Sequence, residues 1–281
     1  MAEIESLCTA GLRQLRPQPP VNGEAMLAPD QSALAPLLYK LQRRSTFRAT
    51  ETDALLGLPI RRQALDASAY LVREGEVPKS CCVLLSGFVY RHKLARNGSR
   101  QILAIHFKGD LLGLNHELLS AADHSIQCLS RAEVAFIRHE DISAMAAEFP
   151  NIGRALWRET LVEASVVREW IVNVGQRNAR ERIAHLLCEL ALRQDIEADP
   201  ASRSIDWPLT QEQLGDATGL TAVHVNRTVQ GMRAAGLIST DRHSVTILDW
   251  AALQHAGAFN RTYLHLPDAN QRLSPVIASS R

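Results

Sequence analysis

The 281-residue chain contains no apolar run near the roughly 18 residues of a membrane span, and its start, MAEIESLCTAGLRQLRPQPP, has no apolar core for export. A cytoplasmic location without membrane association is therefore expected. Charge of one sign is also missing: 31 Lys+Arg stand against 30 Asp+Glu, a net charge of +1. That balance excludes a histone-like polycation, so any nucleic-acid contact must come from a local cluster. The five cysteines (Cys8, Cys81, Cys82, Cys128, Cys188) lack any C-x-x-C spacing, which argues against a disulfide framework, a zinc knuckle and an iron–sulfur cluster. No His-x-His occurs, and a cupin-like metal-dependent enzyme needs one in its barrel.

What is present is a hydrophobic fraction of 46 %, enough for a sizeable core in one large domain or two modest ones. Residues 1–33 carry Pro17, Pro19, Pro20 and Pro29 with little periodicity and read as a mobile tail. Pro36 to Leu58 has a helical pattern, and β-type segments begin at Tyr70: AYLVREGE, CCVLLSGFVYRHKLA, RQILAIHFKGD and AEVAFIRHE. Arg96-Asn97-Gly98-Ser99 predicts a two-residue type I′ hairpin. Its register would set Leu94 against Gln101, His92 against Leu103, Tyr90 against Ile105 and Phe88 against Phe107, with His92 on the inner side and His106 on the outer.

A long helix is expected after Pro150, with Asn151 as its N-cap. At about 100° per residue it carries two apolar stripes. One holds Ile152, Leu156, Val166, Trp170 and Val174; the other, nearly opposite, holds Trp157, Leu161, Ala164 and Ile171. Packing on one domain needs a single stripe, so the second points to a second copy of the helix and a homodimer. Asn178 to Glu181 resembles a capping box opening another amphipathic helix, and Gln194 to Asp206 reads as a loop.

The segment LTQEQLGDATGLTAVHVNRTVQGMRAAGLI, Leu209 to Ile238, reads as two helices and a turn. Thr210 with Gln213 caps the first helix, Gly215 permits close packing, Gly219 supplies the turn, Thr221 caps the second helix, and Val225 and Val229 face inward. The second helix holds His224, Arg227 and Arg233 and no acid. Its N-terminal half fits a DNA major groove. Arg227 is the candidate base reader, because a guanidinium pairs bidentately with guanine O6 and N7. Ala222, His224 and Asn226 are neighbouring candidates, and Thr210, Gln211 and Thr221 sit where helix starts meet phosphates. A strand pair follows, Ile238 to Leu248, in the place of a wing.

Together these residues resemble the Crp/Fnr family of bacterial transcription regulators over nearly the whole chain after the tail. The resemblance implies an α+β fold: a cyclic-nucleotide-binding-like β-roll (jelly roll) sensor at 34–150, a dimerisation helix at 151–176, a winged helix-turn-helix DNA-binding domain at 177–255 and a tail at 256–281. It implies a homodimer on double-stranded DNA with an inverted-repeat site, a switch between two dimer arrangements, and RNA polymerase as a further partner. Val223 and Ala222 replace residues usual at the start of the family's recognition helix, so the base preference of familiar members does not carry over. The family's cyclic-nucleotide cassette has Gly-Glu and, later, Arg-Ser; here stand Gly113-Leu114 and His124-Ser125. The loss of both ligand-holding side chains argues against cyclic AMP. No cofactor is expected; a haem or redox effector stays open, through His92, His116, His124 or His139 or through Cys81-Cys82, although scattered histidines and strand cysteines are more commonly structural. The competing readings are the cupin-like enzyme and a ligand-binding adaptor that does not read DNA. Effector, target genes and the choice between activation and repression leave no mark in the sequence.

Overall fold

A computed structural model of the chain describes residues 33–119, 121–194 and 204–266. Nearly all of the expected N-terminal tail, Cys8 included, lies outside the described residues. Two helices come first, α1 (Ala35–Gln42) and α2 (Ala49–Leu56). The strands β1 (Arg61–Leu65), β2 (Tyr70–Val72), β3 (Ser80–Ser86), β4 (Val89–Leu94), β5 (Arg100–His106), β6 (Leu111–Leu112), β7 (Ser125–Cys128) and β8 (Ala132–Arg138) follow. They form two four-stranded antiparallel sheets, ordered β1-β8-β3-β6 and β2-β7-β4-β5. β1 precedes the expected start at Tyr70. It is an edge strand, Arg61-Arg62-Gln63-Ala64-Leu65, paired only with β8 among the described residues. Arg62 is exposed and Arg61 is half-buried with its guanidinium over the Phe136 ring at 4.4 Å, and these charged residues hide the apolar alternation that marks a half-buried strand.

β3 is apolar at successive positions because both of its faces are covered. Cys81, Val83 and Leu85 pack towards the helices, while Cys82 and Leu84 pack between the sheets with Val89, Ile126, Val134 and Phe136. Burial raises both thiols, Cys81 to about 12, and leaves them unreactive core side chains.

The β4–β5 hairpin differs from the two-residue type I′ expectation. Gly98 N–H donates to Ala95 O (2.8 Å) and Ala95 N–H to Ser99 O (2.8 Å), and of the loop residues only Gly98 has positive φ, +82°. This is a three-residue loop, a turn closed by a left-handed glycine; type I′ would require Asn97 to be left-handed as well. Leu94 accordingly pairs with Arg100 and His92 with Ile102, not with Gln101 and Leu103. A register shift between Arg91 and His92 then restores Tyr90 opposite Ile105 as expected. His92 is buried as expected, but His106 is buried too, beneath the long helix and beside Asp110. The outer face of β5 is thus an interface and not a solvent face.

After α3 (His139–Glu148) the long helix α4 runs over Pro150–Gln176. Its first position is Pro150 and its N-cap is Phe149, so Asn151 is not the cap. Asn151 instead donates from Nδ2 to Thr46 O at 2.8 Å, which ties the helix start to the α1–α2 connection. Ile152, Leu156, Val166 and Trp170 are buried on one face, whereas Trp157, Leu161, Ala164 and Ile171 are exposed on the other. Two residues separate α4 from α5 (Ala179–Arg193), whose capping box is formed by Asn178 and Glu181.

β9 (Ser204–Asp206) lies inside the stretch expected to be a loop. It pairs through Ile205 with Val245, a contact too distant in sequence to mark the segment locally. Helices α6 (Gln211–Thr218) and α7 (Ala222–Ala234), strands β10 (Ile238–Thr240) and β11 (Ser244–Ile247), and α8 (Trp250–Ala256) complete the C-terminal half. Residues 261–264, expected in a tail, form a 3₁₀ turn in which Leu264 is buried and Tyr263 Oη donates to Glu189 Oε2 at 2.8 Å. One core is continuous across the halves: Tyr90, Ile102, Ile105 and Phe107 of the hairpin join Val166 and Trp170 of α4 and the buried side chains of α5–α7 and the wing.

Two stability measurements follow. A Cβ on Gly215 would lie 2.4 Å from Leu220 O, so Gly215→Ala is expected to cost about 1–3 kcal/mol and to lower the thermal midpoint by several degrees. Burial, with Arg177 near His185 and with His124 and Arg91 near His116, depresses both imidazoles from 6.5 to about 4. The folded protein keeps them neutral while the unfolded chain takes up their protons below pH 6.5. Stability is therefore present above that value and lost as the pH falls towards 4, and denaturant midpoints at pH 7 and pH 5 should differ accordingly.

Candidate nucleic-acid interface

The α6–α7 pair is held by local chemistry. Thr210 Oγ1 accepts from Gln213 N–H (3.1 Å) while Gln213 Oε1 accepts from Thr210 N–H (2.9 Å), a reciprocal cap that fixes where α6 starts. Gly219 ends α6 in the left-handed region, and Thr221 Oγ1 accepts from His224 N–H (3.3 Å) to start α7. Leu214, Ala217, Val225 and Met232 turn into the core, with Val229 partly buried against it.

That packing decides which side of α7 faces water. Ala222 and Arg227 are exposed, His224 and Asn226 half-buried, and Thr210, Gln211 and Thr221 exposed at the two helix starts. All seven expected site residues thus belong to one pair of helices: Thr210 and Gln211 are exposed at the start of α6, and Thr221, Ala222 and Arg227 are exposed along the N-terminal half of α7. The first turn of α7 carries no acid, so its positive dipole end meets no carboxylate of its own helix. Asp216 of α6 is turned away: Arg100 Nε of the sensor hairpin donates to its Oδ2 at 2.7 Å, and Gln101 Nε2 donates to its backbone oxygen at 2.7 Å.

Three further residues are added by the fold. Val223, a departure from the family pattern, is 79 % exposed beside Ala222, an apolar tip able to meet a thymine methyl. Arg242 and His243 are exposed in the turn between β10 and β11. Trp207 N–H donating to His243 O (2.8 Å) braces that turn against the strand ahead of α6. A charged residue in the short connection between two strand patterns is the signal that identifies Arg242.

The sensor half does not fit a cyclic nucleotide held through the cassette. Leu114 opens a 3₁₀ turn, Leu114–Glu117, and supplies no carboxylate. Ser125 Oγ accepts from Glu74 N–H at 3.0 Å. His124 Nδ1 lies 2.6 Å from Asp123 Oδ1, while burial and the Arg91 charge keep the ring below its ordinary pKa, so a neutral imidazole stands where a guanidinium would be needed.

Comparison with known proteins matches each half. Residues 62–149 match the cyclic nucleotide-binding domain model, and residues 181–256 match the Crp-like helix-turn-helix domain model. Among curated relatives, the anaerobic regulatory protein of Haemophilus influenzae is 25 % identical over 221 residues, covering 79 % of this chain and 86 % of that protein. The fumarate and nitrate reduction regulatory protein of Escherichia coli is 23 % identical over 218 residues, 77 % of this chain and 86 % of that one. FixK2 from Bradyrhizobium japonicum shares the fold, with a TM-score of 0.64 at 22 % identity over 71 % of this chain and 98 % of its own. With a cyclic-nucleotide-binding-like roll, a long helix and a Crp-like helix-turn-helix in this order, the chain belongs to the Crp/Fnr family of transcription regulators.

Proposed function

We propose that the protein is a homodimeric regulator that reads an inverted-repeat site in double-stranded DNA through α7, under the control of a signal received by the β-roll. The observation that carries this reading is the capped, acid-free start of α7 with Arg227 in water. Arg227 reads a base edge; Ala222, His224 and Asn226 make the neighbouring contacts; Thr210, Gln211 and Thr221 bind phosphate. In this reading the sensor spans 34–150, the dimer helix 151–176 and the reading domain 177–255. Two copies of α7 about 34 Å apart meet half-sites one helical turn apart. The signal acts by favouring one arrangement of the pair, and it does so only through a difference in affinity for the two. RNA polymerase is the downstream partner in the cytoplasm, with no catalysis by the chain itself.

The exposed stripe of α4, Trp157, Leu161, Ala164 and Ile171, supports the dimer. Against the cupin-like enzyme, no group of three or more His, Cys, Asp or Glu side chains is placed to hold a metal ion among the described residues. The adaptor reading leaves the charge bias of α7 without a role.

Selection of bound sequences from a random duplex pool should yield an inverted repeat for the wild-type protein. Arg227→Ala should lose roughly 10- to 100-fold in discrimination and keep weak, salt-sensitive binding; unchanged selectivity would remove Arg227 from the reading role. In sedimentation velocity the wild type should run as a dimer, and Leu161→Glu with Ile171→Glu as a folded monomer with weakened DNA binding. A double variant that remains dimeric would place the interface elsewhere.

A further inference from the structure

Like charges repel, so a fold that gathers arginines without acids between them holds a positive potential that an anion relieves. Such a gathering lies outside the β-roll, in a groove between the α1–α2 connection and one flank of α4. The groove has a volume of about 1350 Å³, and none of the eight roll strands contributes to it. Arg43 and Arg44 line it from the connection, Arg154, Arg158 and Arg168 from α4, and His265 and Leu266 complete the lining. No aspartate or glutamate lines it among the described residues.

Only part of this charge is used by the fold. Arg44 pairs with Glu159 at 2.7 Å and donates to the Leu264 and His265 carbonyls. Arg158 donates to Arg44 O and to Ser45 Oγ (3.1 Å), neutral acceptors that leave its charge uncompensated. Arg154 and Arg168 are exposed and make no hydrogen bond or ion pair among the described residues. At about 100° per residue Arg154, Arg158 and Arg168 share one flank of α4, and the helix rises about 21 Å from the first to the last. Arg154 and Arg158 stand a single turn apart, close enough to repel.

The length of the groove selects the anion. A lone carboxylate answers one guanidinium. A polyphosphate chain carries charge on every phosphoryl unit and extends along the groove, and the guanidinium fork pairs with phosphate oxygens bidentately. Gln42, Ser45 and Thr46 place amide and hydroxyl groups among the charges, and Tyr39, 60 % exposed, adds an aromatic ring. We propose that this groove binds the polyphosphate chain of a small ligand, either inorganic polyphosphate or a nucleoside polyphosphate whose base stacks on Tyr39. The site is separate from the nucleotide cassette of the roll and from α7, so it goes beyond the regulator reading and does not rest on it. The bound phosphates tie α4 to the α1–α2 connection and to the last described turn, segments that Arg44 and Arg158 already tether.

The test is calorimetric titration of the full chain with tripolyphosphate and, separately, with ATP, in magnesium-free buffer at constant ionic strength. Saturable binding is expected, and Arg154→Gln with Arg168→Gln should weaken it roughly tenfold or more. Arg96→Gln, which removes an exposed arginine of the β4–β5 turn, should bind as the wild type does. Equal affinity for both probes, unmoved by Tyr39→Ala, identifies an inorganic chain; tighter ATP binding that Tyr39→Ala removes identifies a nucleotide. Leu161 lines the groove and also belongs to the exposed apolar stripe, so each variant is checked by sedimentation. If the double variant changes its oligomeric state, Arg154→Gln alone is read, with a loss of roughly threefold or more expected. Silence of both probes, wild-type affinity in the groove variants, or an equal loss in Arg96→Gln would overturn the assignment. So would a groove that serves flanking DNA instead, seen as no polyphosphate binding together with weaker binding of a long duplex by the double variant. DNA selection by the double variant should return the wild-type sequence, so failure of the groove and failure of the regulator reading are read separately.

Discussion

The arrangement of the two halves depends on one buried carboxylate. Asp110 sits in the turn between β5 and β6, almost inaccessible to water, and an unpaired charge there would be untenable. Three elements supply its partners: Lys40 of α1 at 2.8 Å, His106 of β5 at 3.2 Å and Arg193 of α5 at 3.2 Å. Burial alone would raise its pKa; Lys40, His106 and Arg193 together hold it well below the usual carboxylate range. Loss of such a centre leaves buried cations uncompensated, at a cost of about 3–5 kcal/mol. The N-terminal helix, the roll and the first helix of the reading half are thereby set around a single point.

α4 runs beside that point and divides its surface by chemistry. Towards the protein it offers carboxylates between apolar side chains: Glu159 to Lys40 and Arg44, Glu163 to Arg91, Glu169 to Arg177. Away from it lies the apolar stripe. Arg44 reaches further, donating to Leu264 O (2.8 Å) and His265 O (3.0 Å), so the last described turn is tied to the α1–α2 connection as well. Charges fix the orientation of the helix, and the opposite face stays exposed.

Legibility in the sequence followed the range of the interactions. The α6–α7 unit and the start of α5 were readable because caps and glycine turns act within four residues: Thr210 with Gln213, Asn178 with Glu181, Gly219. The hairpin was readable in its far half but not near the turn, where the backbone of Asn97 chose between two loops that share the Asn-Gly signature. Asn151 carries a local N-cap signal that the fold overrides, because Pro150 holds the first helical position and the asparagine finds partners across the fold. The burial of His106 and the pairing of Arg91 with Glu163 were hidden, since each needs α4 laid across β4 and β5, and no local pattern records that contact. Arg242 was within reach of the sequence, as a charged residue between two strand segments.

The shared core has a thermodynamic meaning. Hairpin side chains from the sensor, Trp170 from α4 and the helices of the reading half belong to one apolar cluster, joined by the Trp170 Nε1 hydrogen bonds to buried Glu189. Opening one half exposes apolar surface of the other, so the halves of a single chain melt as one cooperative unit and not as two beads on a string. In a molecule so joined, heat capacity and free energy are properties of the whole, and stabilising the reading helices tightens the sensor by the same stroke.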